Sequence, residues 1–422
     1  HSFDGFEFQS FTSLTDTDVI FSYDADWGNA DSHFPYVYDY FSETFRDRKL
    51  FNQEFRAVSD SANFLKDSFL EWVIGANYLE LKETNLKKDD GLYGDPSDPY
   101  GPYASASSSS SRYKSSNFSV FGNLDYLLSA SLKFSIGLRW EDWEADYSDS
   151  LDELFNPADK MSGGKISLIK SMTNETNIYA SLAKGYKQGG FNLGLGLDAN
   201  STNQNLAYDP EFLTNYELGI TTKLLDSKIN FNGALFYSNR EDQQVLISTQ
   251  TDPSDPNTFS FLTQNAAEGV NHGLEINMDI DIRESLSAFL NLGMLKTEIK
   301  NWQSRQDLEG RAQAHAPEKS YALGLNWAPT SDTYLAIDFT GKSSFYYSDS
   351  HNNKSKSYVL TNLNLGYVKN NWSYELWARN VFDEYYSVRG FYFGNEAPNF
   401  IDTLYERHGD PRNIGFSIRY DF

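Results

Sequence analysis

The chain has 422 residues, no cysteine and a formal charge of −24. Disulfides, thiolate metal sites and thiol catalysis are thereby removed, and the acidity argues against nucleic acid, whose phosphates need clustered Lys and Arg. No run of about 18 apolar residues occurs, which excludes a membrane helix but not a wall of strands: each needs only ~9–11 residues with alternate side chains facing lipid, and 28 Tyr and 31 Phe against 8 Trp suit interfacial girdles.

His1 runs directly into strand-like residues without an initiator Met or signal peptide, so the chain is expected to be part of a longer polypeptide. Residues 6–13 and 19–24 read as strands joined by a turn at 14–18, followed by a polar loop rich in Tyr, His and Asp up to Arg48. The next pair, 49–59 and 68–81, sets Leu70, Trp72, Ile74, Ala76 and Tyr78 against Glu71, Gly75 and Asn77 in strand period. Residues 82–114 read as a long, mobile, low-complexity loop holding Lys87-Lys-Asp-Asp-Gly91 and the serine run 105–111. Its Asp89, Asp90, Asp95 and Asp98 lack the ligand order and central Gly of an EF-hand, so a solvated loop outweighs a calcium site. Across a turn at 127–130, Leu132, Phe134, Ile136, Leu138 and Trp140 then oppose Lys133, Ser135, Gly137, Arg139 and Glu141.

The strand from Gly273 is the clearest case. Leu274, Ile276, Met278, Ile280 and Ile282 form one face, and Glu275, Asn277, Asp279, Asp281 and Arg283 the other. Burying that acidic face in a dry core would cost several kcal/mol per unpaired charge, a cost that a water-filled lumen removes. Short turns at 225–227, 283–285, 329–332 and 369–371 alternate with loops around 192–208, 239–267, 298–317, 341–357 and 391–412. Barrels of the bacterial outer membrane have this asymmetry. After the turn Lys369-Asn-Asn371 a long strand is expected from Trp372 to about Gly390. The final strand points Ile414, Phe416, Ile418, Tyr420 and Phe422 one way, and Asn413, Gly415, Ser417, Arg419 and Asp421 the other.

Asn380-Val-Phe-Asp-Glu-Tyr-Tyr386, Gly409-Asp-Pro-Arg-Asn-Ile-Gly415 and the terminal Phe422 resemble the C-terminal signature of TonB-dependent outer-membrane receptors. So do Ile178-Tyr-Ala-Ser-Leu-Ala-Lys-Gly-Tyr-Lys-Gln-Gly-Gly-Phe-Asn192, Tyr208-Asp-Pro-Glu-Phe-Leu-Thr-Asn-Tyr-Glu-Leu-Gly219, Asn265-Ala-Ala-Glu-Gly-Val-Asn-His-Gly-Leu-Glu-Ile276 and Ala316-Pro-Glu-Lys-Ser-Tyr-Ala-Leu-Gly324. The resemblance implies an all-β fold, a transmembrane antiparallel barrel of the 22-stranded type. About seventeen strands are counted here. Residues 1–422 are thus expected to be a partial barrel with long extracellular loops, without the first strands or the plug domain.

The function so implied is uptake of a scarce solute, a ferric siderophore or similar chelate first and an oligosaccharide next, energised by the TonB complex through a plug domain. Outer-membrane lipid, lipopolysaccharide and the barrel-assembly machinery are further expected partners, the last reading Phe422. The implied C-terminus is periplasmic. A passive porin-like or structural barrel is the alternative. Candidate ligand contacts are loop aromatics whose flat faces stack on sugars or catecholates: Phe191, Trp302, Phe345, Tyr346, Tyr347, Phe391, Tyr392 and Phe393. The competing role for each is girdle or loop packing. His1, His33, His272, His315, His351 and His408 show no metal-ligand spacing, and no catalytic motif stands out, so neither metal, cofactor nor enzyme activity is expected.

Overall fold

The computed structural model describes all residues except 27, 29–30, 60–69, 151, 193–206, 251–258, 303–304, 397–398 and 400, and also omits the side chains of 247–250, 259–261 and 266–267. The strands are β1 (Ser2–Phe3), β2 (Phe6–Asp24), β3 (Val37–Ser59), β4 (Leu70–Gly94), β5 (Tyr103–Ser129), β6 (Leu132–Asp149), β7 (Leu154–Phe155), β8 (Ala158–Ser171), β9 (Thr176–Lys187), β10 (Gly190–Phe191) and β11 (Ala207–Tyr208). They continue as β12 (Glu211–Leu224), β13 (Ile229–Gln250), β14 (Phe259–Arg283), β15 (Leu286–Lys300), β16 (Lys319–Thr330), β17 (Thr333–Lys342), β18 (Tyr358–Lys369), β19 (Trp372–Arg379), β20 (Ser387–Phe393), β21 (Thr403–His408) and β22 (Asn413–Tyr420). One 18-stranded sheet holds all but two small pairs, β10–β11 and β20–β21.

Every pairing is antiparallel, and the long strands follow one another as a meander from β2 to β22. Cross-strand register carries two solvents' worth of chemistry around this wall. On one face an apolar row runs Leu70, Tyr126, Phe134, Leu168, Ala180, Leu218, Leu235, Leu274, Met294 across successive strands. A second row, Leu224, Ile229, Ile280, Ala288, Leu325, Ile337, Leu363, Ala378, Ile414, carries it on to β22. Leu138, Leu218, Leu235, Ile414 and Phe416 on this face are all more than half exposed, an arrangement that bulk water would penalise and hydrocarbon would not. The opposite face is polar: Asp125, Ser135, Ser167, Ser181 and Glu217 form one row, and Asn232, Asn277 and Asn291 another. Here the Tyr179 hydroxyl donates to Glu217 (2.7 Å). The Tyr179 ring occupies the space a Cβ on Gly219 would need.

The apolar band is edged by aromatics. Tyr78, Phe118, Trp140, Tyr216 and Tyr237 mark one boundary, while Trp327, Tyr367, Trp372 and Tyr420 mark the other, all exposed. From Leu70 to Tyr78 the band is about 25 Å along the strand at ~3.3 Å per residue. Hairpins at the second boundary are tight. The turn at Leu225, Asp226 and Ser227 places all three at positive φ, and Lys228 N–H closes it on the Leu225 carbonyl (3.2 Å). Among the described residues, the long connections lie at the other end.

Several sequence expectations are revised. Residues 14–18 are not a turn but the middle of β2, because β3 supplies opposing partners: Asp16 faces Lys49 and Thr17 faces Arg48. That merger leaves sixteen long strands, close to the seventeen counted. Residues 82–114 are not a loop either; β4 and β5 stay paired up to Tyr93 and Tyr103, and the serine run lies within β5. Likewise β13 and β14 continue their ladder through most of 239–267. The strand from Trp372 ends at Arg379 rather than near Gly390, because Asn380 (φ 48°) and Asp383 (φ 55°) turn the chain. The expected turn after residue 59 lies outside the described residues. Among the described residues, no residue register is seen between β2 and β22.

Candidate functional site

The loop end opposite the tight turns gathers most of the candidate aromatics at a single mouth. The connection after β15 folds inward: Ile299 N–H bonds to the Arg311 carbonyl (2.9 Å), and Gln313 N–H to the Thr297 hydroxyl (2.9 Å). Gln313 then accepts from Arg240 Nη1 (3.2 Å), whose guanidinium is ion-paired with Glu211 on the polar face (2.6 Å). Trp302, 1% exposed, sits beneath this loop against Val245, Ile299 and Leu308. It braces the mouth.

Arg311 fastens the neighbouring loop, 343–357. Its Nη1 donates to the His351 carbonyl (2.9 Å) and Asn352 Oδ1 (2.9 Å), and Nη2 to the Ser348 carbonyl (3.1 Å) and Asp349 Oδ1 (2.7 Å). The same guanidinium lies 4.4 Å from the Tyr346 ring, on which Lys354 Nζ also sits at 4.1 Å. Phe345 and Tyr347, 7% and 2% exposed, pack edge to face 5.8 Å apart and point away from solvent. The Tyr347 hydroxyl bonds to Glu406 on β21, which with burial pushes its pKa up to about 12. Loop 343–357 is thus tied to the β20–β21 hairpin.

On that hairpin Arg389 lies 4.8 Å from the Phe391 ring, Tyr392 stands 5.7 Å from His351, and Phe393 packs on Tyr405 (5.2 Å). His315 and His351 both have pKa values below the ordinary histidine range. Burial is the larger cause for each, followed by Arg389 for His315 and Arg311 for His351. Both rings are neutral near pH 7. Tyr392 is exposed, and Tyr346 and Phe391 are partly exposed, with the exposed cations Lys354 on the Tyr346 ring and Arg389 on the Phe391 ring; among the described residues no ion pair engages either cation. Phe191 belongs to a separate cluster, stacked on Phe155 (5.0 Å) and near Tyr147 (5.3 Å) and Tyr113 (6.2 Å).

The cations were not picked out by sequence reasoning, although basic residues are scarce enough in this acidic chain to have drawn notice. Asn380 was noticed only as a motif letter. It is 4% exposed, accepts from Glu384 N–H (2.8 Å), and donates to the Glu384 (2.9 Å) and Asp410 (3.1 Å) carbonyls. Those bonds close the 380–412 connection. His408 accepts or donates at 2.5 Å with the Tyr385 hydroxyl, and no metal-ligating cluster occurs among the described residues. Phe422 follows β22 at the tight-turn end, its ring 5.1 Å from Tyr420.

Comparison with known proteins agrees with this architecture. Relatives include the pesticin receptor of Yersinia pestis, 23% identical over 269 residues (61% of this chain, 36% of that protein), and the ferric-pyoverdine 358 receptor of Pseudomonas putida, 22% identical over 377 residues (83% and 42%). The chain thus spans well under half the length of these relatives. Among solved structures, the ferric yersiniabactin uptake receptor of Y. pestis matches with a TM-score of 0.73 at 18% identity, over 100% of this chain and 60% of that one. The siderophore receptor PiuA of Acinetobacter baumannii matches with 0.73 at 16%, over 99% and 62%. At such identities the likeness concerns the fold. The family model for the TonB dependent receptor-like β-barrel matches residues 2–381, and with a wall apolar on one face and polar on the other, this chain belongs to the TonB-dependent receptor β-barrel family.

Proposed function

We propose that the chain forms the lipid-facing wall, polar lumen and ligand-contacting mouth of an energised receptor in the bacterial outer membrane, with a metal chelate as its solute. In this reading residues 1–422 are wall alone, and a plug domain outside this sequence couples uptake to TonB. The long loops face the cell exterior and β22 ends in the periplasm. Lipopolysaccharide meets the outer girdle, and Phe422 is read by the assembly machinery.

The observation that carries the choice of solute is the mouth's chemistry. In a chain of net charge −24, the exposed cations Lys354 and Arg389 lie on the partly exposed rings of Tyr346 and Phe391. Cations next to flat rings suit an anionic, aromatic chelate such as a ferric catecholate better than a neutral sugar. The names of the relatives, receptors for ferric pyoverdine and for metal-pseudopaline among them, point the same way.

Fluorescence titration of the receptor with an anionic ferric tris-catecholate, a neutral ferric tris-hydroxamate and maltoheptaose tests this. The double variant Lys354→Gln/Arg389→Gln should weaken the catecholate about tenfold and leave the hydroxamate unchanged. Tight maltoheptaose binding unaffected by the variant would overturn the chelate reading. Growth on the chelate as sole iron source, with and without TonB, separates energised uptake from a passive pore, which would conduct ions and need no TonB.

A further inference from the structure

The wall is tall along β3, β4 and β5, as it is along β13 and β14. Above the girdle residue Tyr78, the β4–β5 ladder continues to Tyr93 and Tyr103, about 50 Å further at ~3.3 Å per residue. At its summit Tyr38, Tyr93 and Tyr103 lie side by side in register across three strands. Tyr100 and Phe34 project beyond them, 85% and 77% exposed.

The summit is built to hold its shape. Asp95 accepts from Ser97 N–H (2.8 Å) and its hydroxyl (2.7 Å), and Asp98 from Tyr100 N–H (2.9 Å) and the Tyr103 hydroxyl (2.9 Å). Asp26 accepts from Gly28 N–H (2.9 Å) and Tyr40 N–H (3.0 Å). Pro102 packs against the Gly94 backbone. Exposed aromatics on fixed turns bind at little entropic cost.

Charge narrows the partner. Residues 25–40 and 89–106 contain Asp26, Asp31, Asp39, Asp89, Asp90, Asp95 and Asp98 and neither Lys nor Arg; Asp26 is buried and Asp89 is paired with Lys87 just below (2.8 Å), so Asp31, Asp39, Asp90, Asp95 and Asp98 supply the rim. Aromatic faces rimmed by carboxylates recognise ammonium and guanidinium groups. The tyrosine row spans about 10 Å at ~4.8 Å per strand, too wide for a single cation and suited to several on one chain. We infer that the summit of the β3–β4–β5 blade, with Tyr93, Tyr100 and Tyr103 as its contact rings, is a docking surface for a cationic polypeptide, separate from the mouth assigned to the chelate.

The proposal rests on the receptor reading only for which side of the membrane the summit faces, and its test in detergent does not depend on that. Fluorescent nona-arginine is titrated into the detergent-solubilised protein by anisotropy at physiological salt. Replacing Tyr93, Tyr100 and Tyr103 together by Ser should weaken binding about tenfold, and replacing them by Phe should restore it to within about twofold. A charge control at the opposite end, Asp226→Asn/Glu284→Gln/Asp332→Asn, should leave binding within about twofold. The proposal fails if the Ser variant binds like the parent, or if the charge control loses as much. It also fails if neutral dextran displaces the peptide, which would mark the summit as a glycan surface.

Discussion

Met278 and Asn277 are neighbours in β14, and the two-solvent wall assigns them to different media. Met278 lies between Phe231 and Leu290, and Asn277 between Asn232 and Asn291. Both stand mid-band, between the girdle level of Tyr237 and the turn after Arg283. Arginine at position 278 would enter hydrocarbon near its midplane, at a cost of about 2–4 kcal/mol. At 277 it would enter the aqueous lumen beside Glu275, and surface substitutions of that kind stay within about 0.5 kcal/mol. Reversible urea unfolding of Met278→Arg and Asn277→Arg in phospholipid vesicles measures both. A gap of at least about 2 kcal/mol, with 278 the costly site, is the expected result. Equal costs, or a costlier 277, would mean that the apolar face does not meet lipid, and the membrane assignment would go with it.

Other outcomes follow from the loops. Arg311→Met should leave the Asp349 carboxylate uncompensated, at about 3 kcal/mol, and render 343–357 sensitive to brief trypsin treatment while the strands stay protected. Asn380→Ala removes three hydrogen bonds and sets a Cβ-bearing, non-Asn residue at φ 48°, so hydrogen exchange in 381–412 should rise by about two orders of magnitude; Asn380→Gly, which tolerates the dihedral, should fall between. His315 and His351 have folded pKa values below the unfolded one, so between those values the folded loops bind fewer protons than unfolded loops. Their stabilisation is complete above about pH 6.5 and declines as pH falls beneath it. Limited proteolysis of 301–317 and 343–357 should therefore accelerate on acidification, and His315→Gln/His351→Gln should flatten that profile.

The parts of the fold legible in the sequence are those where the solvent changes at every residue. Leu274 beside Glu275 and Ile414 beside Gly415 announce a strand with two environments, and the tight turns after 225, 283 and 369 follow from the same pattern. Asp16 and the serine run were illegible because nothing in their own neighbourhood asks for a strand. Their pairing is imposed by register with β3 and β4, and the partners that make it tolerable, such as Lys49 opposite Asp16, are distant in sequence. The mouth was half legible for a similar reason. Aromatics in long loops draw attention as single residues, but burial separates Trp302 and Tyr347 from Tyr346, and burial depends on where Leu308 and Arg311 are folded. Lys354 and Arg389 gain meaning only once the loops have met.

The unequal height of the strands has a consequence for how the mouth is enclosed. β4 and β14 each have 25 residues and β19 has 8, so the strand ladder rises in two tall stretches and is lowest at β19. Where the strands are short, loop 343–357 and the β20–β21 hairpin, held together by Tyr347 and Glu406, supply the height instead.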